Sequence, residues 1–82
     1  MPPQRIRIYG TRWCHDTARA KQCLGKHNIA FEWCDIEQDK EACAFVEQLN
    51  KGNRRVPTIV FPDGSILVEP TDAELTKKLS GK

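Results

Sequence analysis

The sequence predicts an α/β domain in which a mixed sheet carries helices packed on its faces. Three observations indicate this fold class: an alternating polar–apolar start, two segments of helix-forming residues, and a hairpin signature in the second half. The predicted order is strand, helix, strand, helix, strand, strand, helix. A strand–helix–strand unit implies that the first two strands are parallel, and the hairpin adds antiparallel strands.

The first half of the chain supplies two strand–helix pairs. Residues 5–9 alternate polar and apolar side chains and end at Gly10, which is typical of a strand. Helix-favouring residues predict a helix from Cys14 to about His27. The apolar and aromatic segment 29–36 is predicted as the second strand. Apolar residues at helical spacing predict the second helix from Asp39 to about Asn50.

The second half supplies a hairpin and a last helix. Residues 57–61 form a short apolar run flanked by prolines, which favours a strand. The sequence Pro62-Asp63-Gly64-Ser65 is typical of a tight turn, so residues 66–68 are predicted to complete the hairpin. Thr71-Asp72-Ala73-Glu74 has the capping-box pattern and opens a helix that runs through Leu79.

The size and charge of the chain exclude several classes of protein. Its 82 residues predict one domain, residues 1–82, with one core. A formal charge of +2 is too small to indicate a nucleic-acid or membrane partner. No apolar run reaches the length of a bilayer span, and residues 1–5 lack the apolar core of a signal peptide. We therefore expect a cytoplasmic monomer.

The four cysteines, Cys14, Cys23, Cys34 and Cys43, are not spaced as Cys-x-x-Cys. This spacing gives no support for a structural zinc site, so no metal site is predicted. Without an export signal, reduced thiols in a reducing compartment are the better interpretation than a disulfide framework.

Cys14 lies where the first strand is expected to lead into the first helix. A thiol at such a junction faces free backbone N–H groups and the positive end of a helix, which favour the thiolate that attacks disulfides. Arg12 and Arg19 are nearby cations. The alternative is an inert, half-buried cysteine.

Three segments of the chain carry a family resemblance: Tyr9-Gly10-Thr11-Arg12-Trp13-Cys14, Gly52-Asn53-Arg54-Arg55-Val56-Pro57-Thr58-Ile59-Val60-Phe61, and Asp63-Gly64-Ser65 followed by Glu69-Pro70-Thr71-Asp72-Ala73-Glu74-Leu75. With these segments in this order, the chain resembles the glutaredoxins of the thioredoxin-fold superfamily. It is most similar to the short bacterial glutaredoxin-like proteins that include the actinobacterial mycoredoxins. The resemblance implies a thioredoxin-like fold with a four-stranded sheet, and a thiol–disulfide oxidoreductase.

The motif Cys14-His15-Asp16-Thr17 departs from the family pattern. Most relatives carry Cys-Pro-x-Cys, and the iron–sulfur-binding monothiol class carries Cys-Gly-Phe-Ser. The attacking cysteine is retained and the resolving one is replaced by Thr17. The resemblance then implies a monothiol mechanism through Cys14, which reduces mixed disulfides between proteins and a low-molecular-weight thiol. Glutathione or mycothiol would be the cosubstrate, with no tightly bound cofactor.

None of the other cysteines is a clear substitute for the missing resolving cysteine. Cys23 follows Cys14 by nine residues, which on a helix is about half a turn round and roughly 13 Å along the axis. A disulfide requires Cα atoms within about 7 Å, so Cys23 is predicted to be a packed residue, with a late disulfide partner that needs helix distortion as the alternative. Cys34 and Cys43 are interpreted as core or surface thiols.

The motif residues around Cys14 have open roles. The Thr17 hydroxyl can lie beside the Cys14 sulfur and donate to the thiolate, or can be an ordinary first-turn group. Trp13 covers the sulfur, presents a face to protein substrates or packs into the domain. His15 is a solvated imidazole by default, and Asp16 suits the helix dipole although its charge opposes a thiolate.

The resemblance also implies residues that bind the small thiol. Val56-Pro57 corresponds to the family's cis-proline element, in which the residue before proline offers its backbone to an extended ligand. Thr71 and Asp72, at a helix N-terminus, correspond to positions that hold a γ-glutamyl group. For the other carboxylate, Arg54 or Arg55 is the candidate, with solvated surface charge as the alternative. Arg12 is a candidate to replace a lysine found in many relatives at the place of Thr11.

Three other functions remain possible on the sequence. One is an iron–sulfur carrier, in which two copies share a cluster through Cys14 and external thiols. A second is a binding module that lost its redox activity with its second cysteine. The third, a dithiol donor driven by thioredoxin reductase, is disfavoured by Thr17.

Overall fold

Strand β1 spans Ile6–Gly10, β2 spans Phe31–Asp35, β3 spans Thr58–Val60 and β4 spans Ile66–Val68. They form one sheet in the spatial order β2-β1-β3-β4. β1 is parallel to β2 and antiparallel to β3, and β3 is antiparallel to β4. The structure is a computed structural model that describes residues 5–80. Residues 1–4, for which no signal-peptide core is predicted, and residues 81–82 lie outside this range.

Three helices cover the two faces of the sheet. α1 spans His15–Lys26, α2 spans Lys40–Leu49 and α3 spans Asp72–Ser80. The order βαβαββα, the mixed sheet and the predicted fold class are thereby confirmed. No helix within residues 5–80 has the length and apolar character needed to cross a bilayer.

Alternation along the central strands divides the core in two. On one face, Leu24 of α1 and Leu75 of α3 pack with Ile8 and Ile59. On the other face, α2 covers the sheet with a second apolar cluster: Tyr9, Ile36, Ala42, Val46 and Val60. Because successive side chains of a strand point to opposite faces, consecutive residues within β1 and within β3 belong to different clusters.

Side-chain caps fix where α2 and α3 begin. The Asp39 carboxylate accepts hydrogen bonds from the backbone N–H groups of Glu41 (3.0 Å) and Ala42 (3.2 Å). At α3, the Thr71 hydroxyl accepts from the Glu74 N–H (3.1 Å), and the Glu74 carboxylate accepts from the Thr71 N–H (2.8 Å). This reciprocal pair is the capping box that the sequence predicts.

The hairpin turn is tied to α3 through Asp63. Gly64 adopts φ +90°, a conformation that favours glycine. The Asp63 carboxylate accepts hydrogen bonds from the Ser65 hydroxyl (2.6 Å) and the Lys78 ammonium (2.9 Å). These bonds hold the pKa of Asp63 well below its usual range, with the Ser65 hydroxyl as the largest cause.

Several predicted boundaries are wrong by one or two residues, and two of these differences have a local structural cause. β2 begins at Phe31 rather than at residue 29, because Asn28 adopts φ +56° and the Ile29 N–H donates to the Leu24 carbonyl (3.0 Å). These residues close α1 instead of extending the sheet. Cys14 caps α1 with extended dihedral angles rather than forming its first helical residue.

Candidate functional site

The predicted site residues lie at one end of the sheet. At this end Gly10 pairs with Asp35, Tyr9 pairs with Thr58, and Thr58 pairs with Val68. The segments that follow β1, β2 and β4 and the segment that precedes β3 therefore leave the sheet side by side. These segments and the first turns of α1 and α3 carry the predicted residues: Arg12, Trp13, Cys14, His15, Asp16, Thr17, Arg55, Val56, Pro57, Thr71 and Asp72.

Cys14 is the N-cap residue of α1. Its backbone is extended (φ −81°, ψ 123°), its side chain makes no capping hydrogen bond, and the residue is half-buried. Its N–H donates to the Thr11 carbonyl (3.4 Å), which closes the turn that leads out of β1. The first-turn N–H groups of a helix lack intrahelical acceptors, so their partial positive charge favours an anion at this end of α1.

Thr17 lies beneath the end of β1, and the hydrogen bond to the Cys14 sulfur, one of its two interpretations, is not formed. The residue is 1% exposed, and its hydroxyl is buried without a hydrogen-bond partner in the described part of the chain. A Cβ built on Gly10 would lie 2.6 Å from Thr17 Oγ1 and 2.7 Å from its Cγ2. Gly10 is therefore required by this close approach.

Trp13 projects into solvent beside Cys14. It is 70% exposed, which rules out the interpretation that it packs into the domain. Its indole N–H donates to Glu37 (3.0 Å), whose own backbone N–H donates to Asp35 (2.9 Å). Asp35 also lies 3.7 Å from the Arg12 guanidinium. The loop after β1 is thus held against the loop after β2 by partners that the sequence analysis did not identify.

The segment before β3 presents unpaired backbone on the other side of the site. The Val56–Pro57 peptide bond is cis, as the resemblance implies, and Pro57 is buried. The Thr58 hydroxyl donates to the Arg55 carbonyl (2.6 Å), and the Glu69 N–H donates to the Pro57 carbonyl (2.8 Å). The Val56 backbone takes no part in the hydrogen bonds formed among residues 5–80.

Arg19 connects the first turn of α1 to the start of α3. Its guanidinium lies 2.9 Å from the Asp16 carboxylate and 3.4 Å from the Asp72 carboxylate. The hydroxyl of Thr71 is engaged in capping α3. Asp72, a predicted ligand of the small thiol, is therefore part of an ion-pair network.

Other cations at this end also have acidic partners. Arg55 lies 3.4 Å from Glu69, and Arg54 lies 2.9 Å from Glu47 in α2. His15 is exposed, as expected for a solvated imidazole.

The remaining cysteines are free thiols placed away from the α1 cap. Cys23 is buried between α1 and α3, with Sγ 3.7 Å from the Thr76 hydroxyl, which confirms its prediction as a packed residue. Cys34 of β2 and Cys43 of α2 are half-buried against the second apolar cluster. Burial raises the pKa of the Cys34 thiol and so disfavours its thiolate. Within residues 5–80, no cluster of three or more His, Cys, Asp or Glu side chains could hold a metal ion.

Comparison with known proteins identifies relatives along nearly the whole chain. The glutaredoxin family profile matches residues 6–66. A Mycobacterium tuberculosis protein whose name assigns it to the glutaredoxins is 43% identical over 74 residues, covering 90% of this chain and 88% of the relative. Mycoredoxin 1 of Corynebacterium glutamicum is 34% identical, covering 90% and 91%. The crystal structure of a glutaredoxin from Archaeoglobus fulgidus has a TM-score of 0.76 at 21% identity, covering 95% and 88%, and shares the fold.

Proposed function

Because the chain belongs to the glutaredoxin family, we propose that it reduces mixed disulfides between proteins and a low-molecular-weight thiol through Cys14 alone. One observation carries this proposal: a single sulfur lies at the N-terminus of α1. Thr17 takes the place of the second cysteine, and Cys23 is on the buried side of the same helix. A monothiol cycle needs no other protein sulfur.

The cycle has two thiol–disulfide exchanges. The Cys14 thiolate attacks the small-thiol sulfur of the mixed disulfide, so the protein substrate leaves as a thiolate and the small thiol stays on Cys14. The thiolate of a second small-thiol molecule then attacks the small-thiol sulfur of this adduct. The products are the symmetrical small-molecule disulfide and the regenerated Cys14 thiolate. Each step breaks one S–S bond and forms another, so electrons balance.

The small thiol is proposed to lie between the two segments that flank Cys14. The unpaired backbone of Val56 is suited to an extended amide-containing ligand, which could bond to it as a strand does. On the other side, Asp72 offers a carboxylate, and the first-turn N–H groups of α3 lack intrahelical acceptors. Arg12 and Arg55 would border this groove.

The charges around the site favour mycothiol over glutathione. Arg12, Arg19 and Arg55 each have a carboxylate partner within 3.7 Å or less. The two carboxylates of glutathione would compete with these protein carboxylates for the same guanidinium groups. Mycothiol carries sugar hydroxyls and amides but no carboxylate, so it can bind without breaking the ion pairs. We therefore expect the higher kcat/KM with mycothiol.

Intact mass spectrometry tests the proposal directly. Reduced protein is incubated with oxidised mycothiol and, in parallel, with oxidised glutathione, and the modified residue is located by peptide mapping. The expected result is one adduct per chain, on Cys14. Cys14→Ser should form none, whereas the matched variant Cys23→Ser should behave as the wild type.

Four outcomes would contradict the proposal. Modification of Cys23, Cys34 or Cys43 in place of Cys14 would show that the reactive thiol is misassigned. An internal disulfide formed in place of a lasting adduct would show that a second protein sulfur resolves it. A Cys14 adduct that is never turned over by excess thiol would instead favour a binding module, and a visible chromophore after anaerobic purification would favour the iron–sulfur carrier.

A further inference from the structure

Arg19 contacts two carboxylates on different helices close to Cys14. Asp16 is two residues after Cys14 in α1, and Asp72 is the first residue of α3. The Arg19 guanidinium lies 2.9 Å from Asp16 and 3.4 Å from Asp72. The three side chains are between 48% and 61% exposed, so these ion pairs add little to folding stability. Their significance lies in the charge that they place at the end of the sheet where Cys14 lies.

The second exchange of the proposed cycle brings an anion to this place. A small-molecule thiolate must approach the disulfide on Cys14, and the departing Cys14 sulfur becomes negative as the symmetrical disulfide forms. Asp16 and Asp72 would both repel that approach, and the cation between them offsets their charge. The cleft behind Arg19, about 150 Å³, is also lined by Lys26, so the positive charge extends along α1.

We propose that Arg19 is a positioning residue for the small-thiol half-reaction: it neutralises Asp16 and Asp72, so that a thiolate reaches the adduct on Cys14. This inference rests on the proposed function. Arg19 then acts in the second exchange, beyond its place in the sequence as a cation near Cys14.

The expected effect is modest and depends on salt. One unit charge about 7 Å from an approaching anion in water changes a rate roughly threefold. The screening length is about 30 Å at 0.01 M ionic strength and about 3 Å at 1 M, so the effect should be lost at high salt. Glutathione thiolate has twice the net negative charge of mycothiol thiolate, so its rate should fall further when Arg19 is removed.

The experiment isolates the second exchange. The Cys14 adduct is prepared with mycothiol or with glutathione, freed of excess reagent, and mixed with the matching reduced thiol. Loss of the adduct is followed by rapid quench and intact mass spectrometry. Arg19→Gln is compared with the charge-conserving Arg19→Lys and with the charge-compensated double variant Arg19→Gln, Asp16→Asn. Arg7→Gln is the matched control, because it removes one arginine of an exposed ion pair with Glu32 on the far part of β1.

Arg19→Gln should slow adduct loss roughly threefold or more at low salt, and more strongly with glutathione. Arg19→Lys and the double variant should return toward the wild-type rate, and Arg7→Gln should not differ from it. A reduction that persists at 1 M salt, or that the double variant does not restore, overturns the proposal in favour of a structural role. If wild-type protein forms no Cys14 adduct, the proposed function fails instead, and the two failures are distinct.

Discussion

Replacing Gly10 by alanine should destabilise the protein because the Thr17 side chain leaves no room for a Cβ at position 10. The added atom would lie 2.6 Å from Thr17 Oγ1, 2.7 Å from Cγ2 and 3.2 Å from Cβ, and both residues are buried. Overpacking of this kind costs about 1–3 kcal/mol. Alanine also lowers the conformational entropy of the unfolded chain, which offsets about 0.4–1 kcal/mol of this loss. A net loss of about 1–2 kcal/mol corresponds to a fall in Tm of roughly 4–16 °C for a domain of this size.

Thermal unfolding followed by circular dichroism measures this effect, and two variants locate its cause. Thr17→Ala removes both atoms of the shortest contacts, so the double variant should lose about 1 kcal/mol less than the sum of the single variants. Gly25→Ala, at an exposed helical position with nothing within 4 Å of the added Cβ, should gain about 0.5–1 kcal/mol. Equal Tm values for Gly10→Ala and wild type, or strict additivity with Thr17→Ala, would refute the packing argument.

Two further predictions concern the hairpin turn and the missing cysteine. Asp63 has a lowered pKa, so its stabilising contribution is present above the ordinary carboxyl pKa of about 3.9 and declines as pH falls. Asp63→Asn should therefore lower Tm at pH 7, and the Tm difference between the variant and the wild type should be smaller at pH 2. An equal Tm difference at the two pH values would contradict this prediction. Thr17→Cys places a thiol three residues after Cys14, at a spacing where side chains of a helix meet. It should form an internal disulfide on oxidation and gain reduction of insulin with a thioredoxin reductase, whereas a protein that keeps only free thiols would show that the side chains at positions 14 and 17 do not meet.

Local sequence signals were sufficient for the elements and for the place of Cys14 at the start of α1. The capping box at Thr71 and the turn at Gly64 are short-range patterns, and the structure forms both. Cys14 could be placed at the end of α1 because the alternation of β1 stops at Gly10 and helix-forming residues follow. The boundary between α1 and β2 was predicted less accurately, because the left-handed conformation of Asn28 decides where α1 ends.

The contacts around the sulfur could not be derived in the same way. Trp13 and Glu37 are 24 residues apart, and their hydrogen bond depends on the parallel pairing of β1 with β2. The pairing of Arg19 with Asp72 likewise requires α3 to pack beside α1. Helical spacing alone leaves two interpretations of Thr17, a group beside the sulfur or an ordinary first-turn residue, and it does not reveal that the side chain is buried under β1. Such long-range partners leave no periodic signal in the chain.

The most direct test of a one-sulfur mechanism is turnover by a protein that keeps Cys14 and has alanine at positions 23, 34 and 43. After circular dichroism has verified folding, turnover of a mixed disulfide of mycothiol or glutathione is compared with wild type and with Cys14→Ser. A rate close to wild type in the Cys14-only protein, and none in Cys14→Ser, is the predicted result. Loss of most turnover in the Cys14-only protein would mean that a second protein sulfur takes part, and would contradict the central claim.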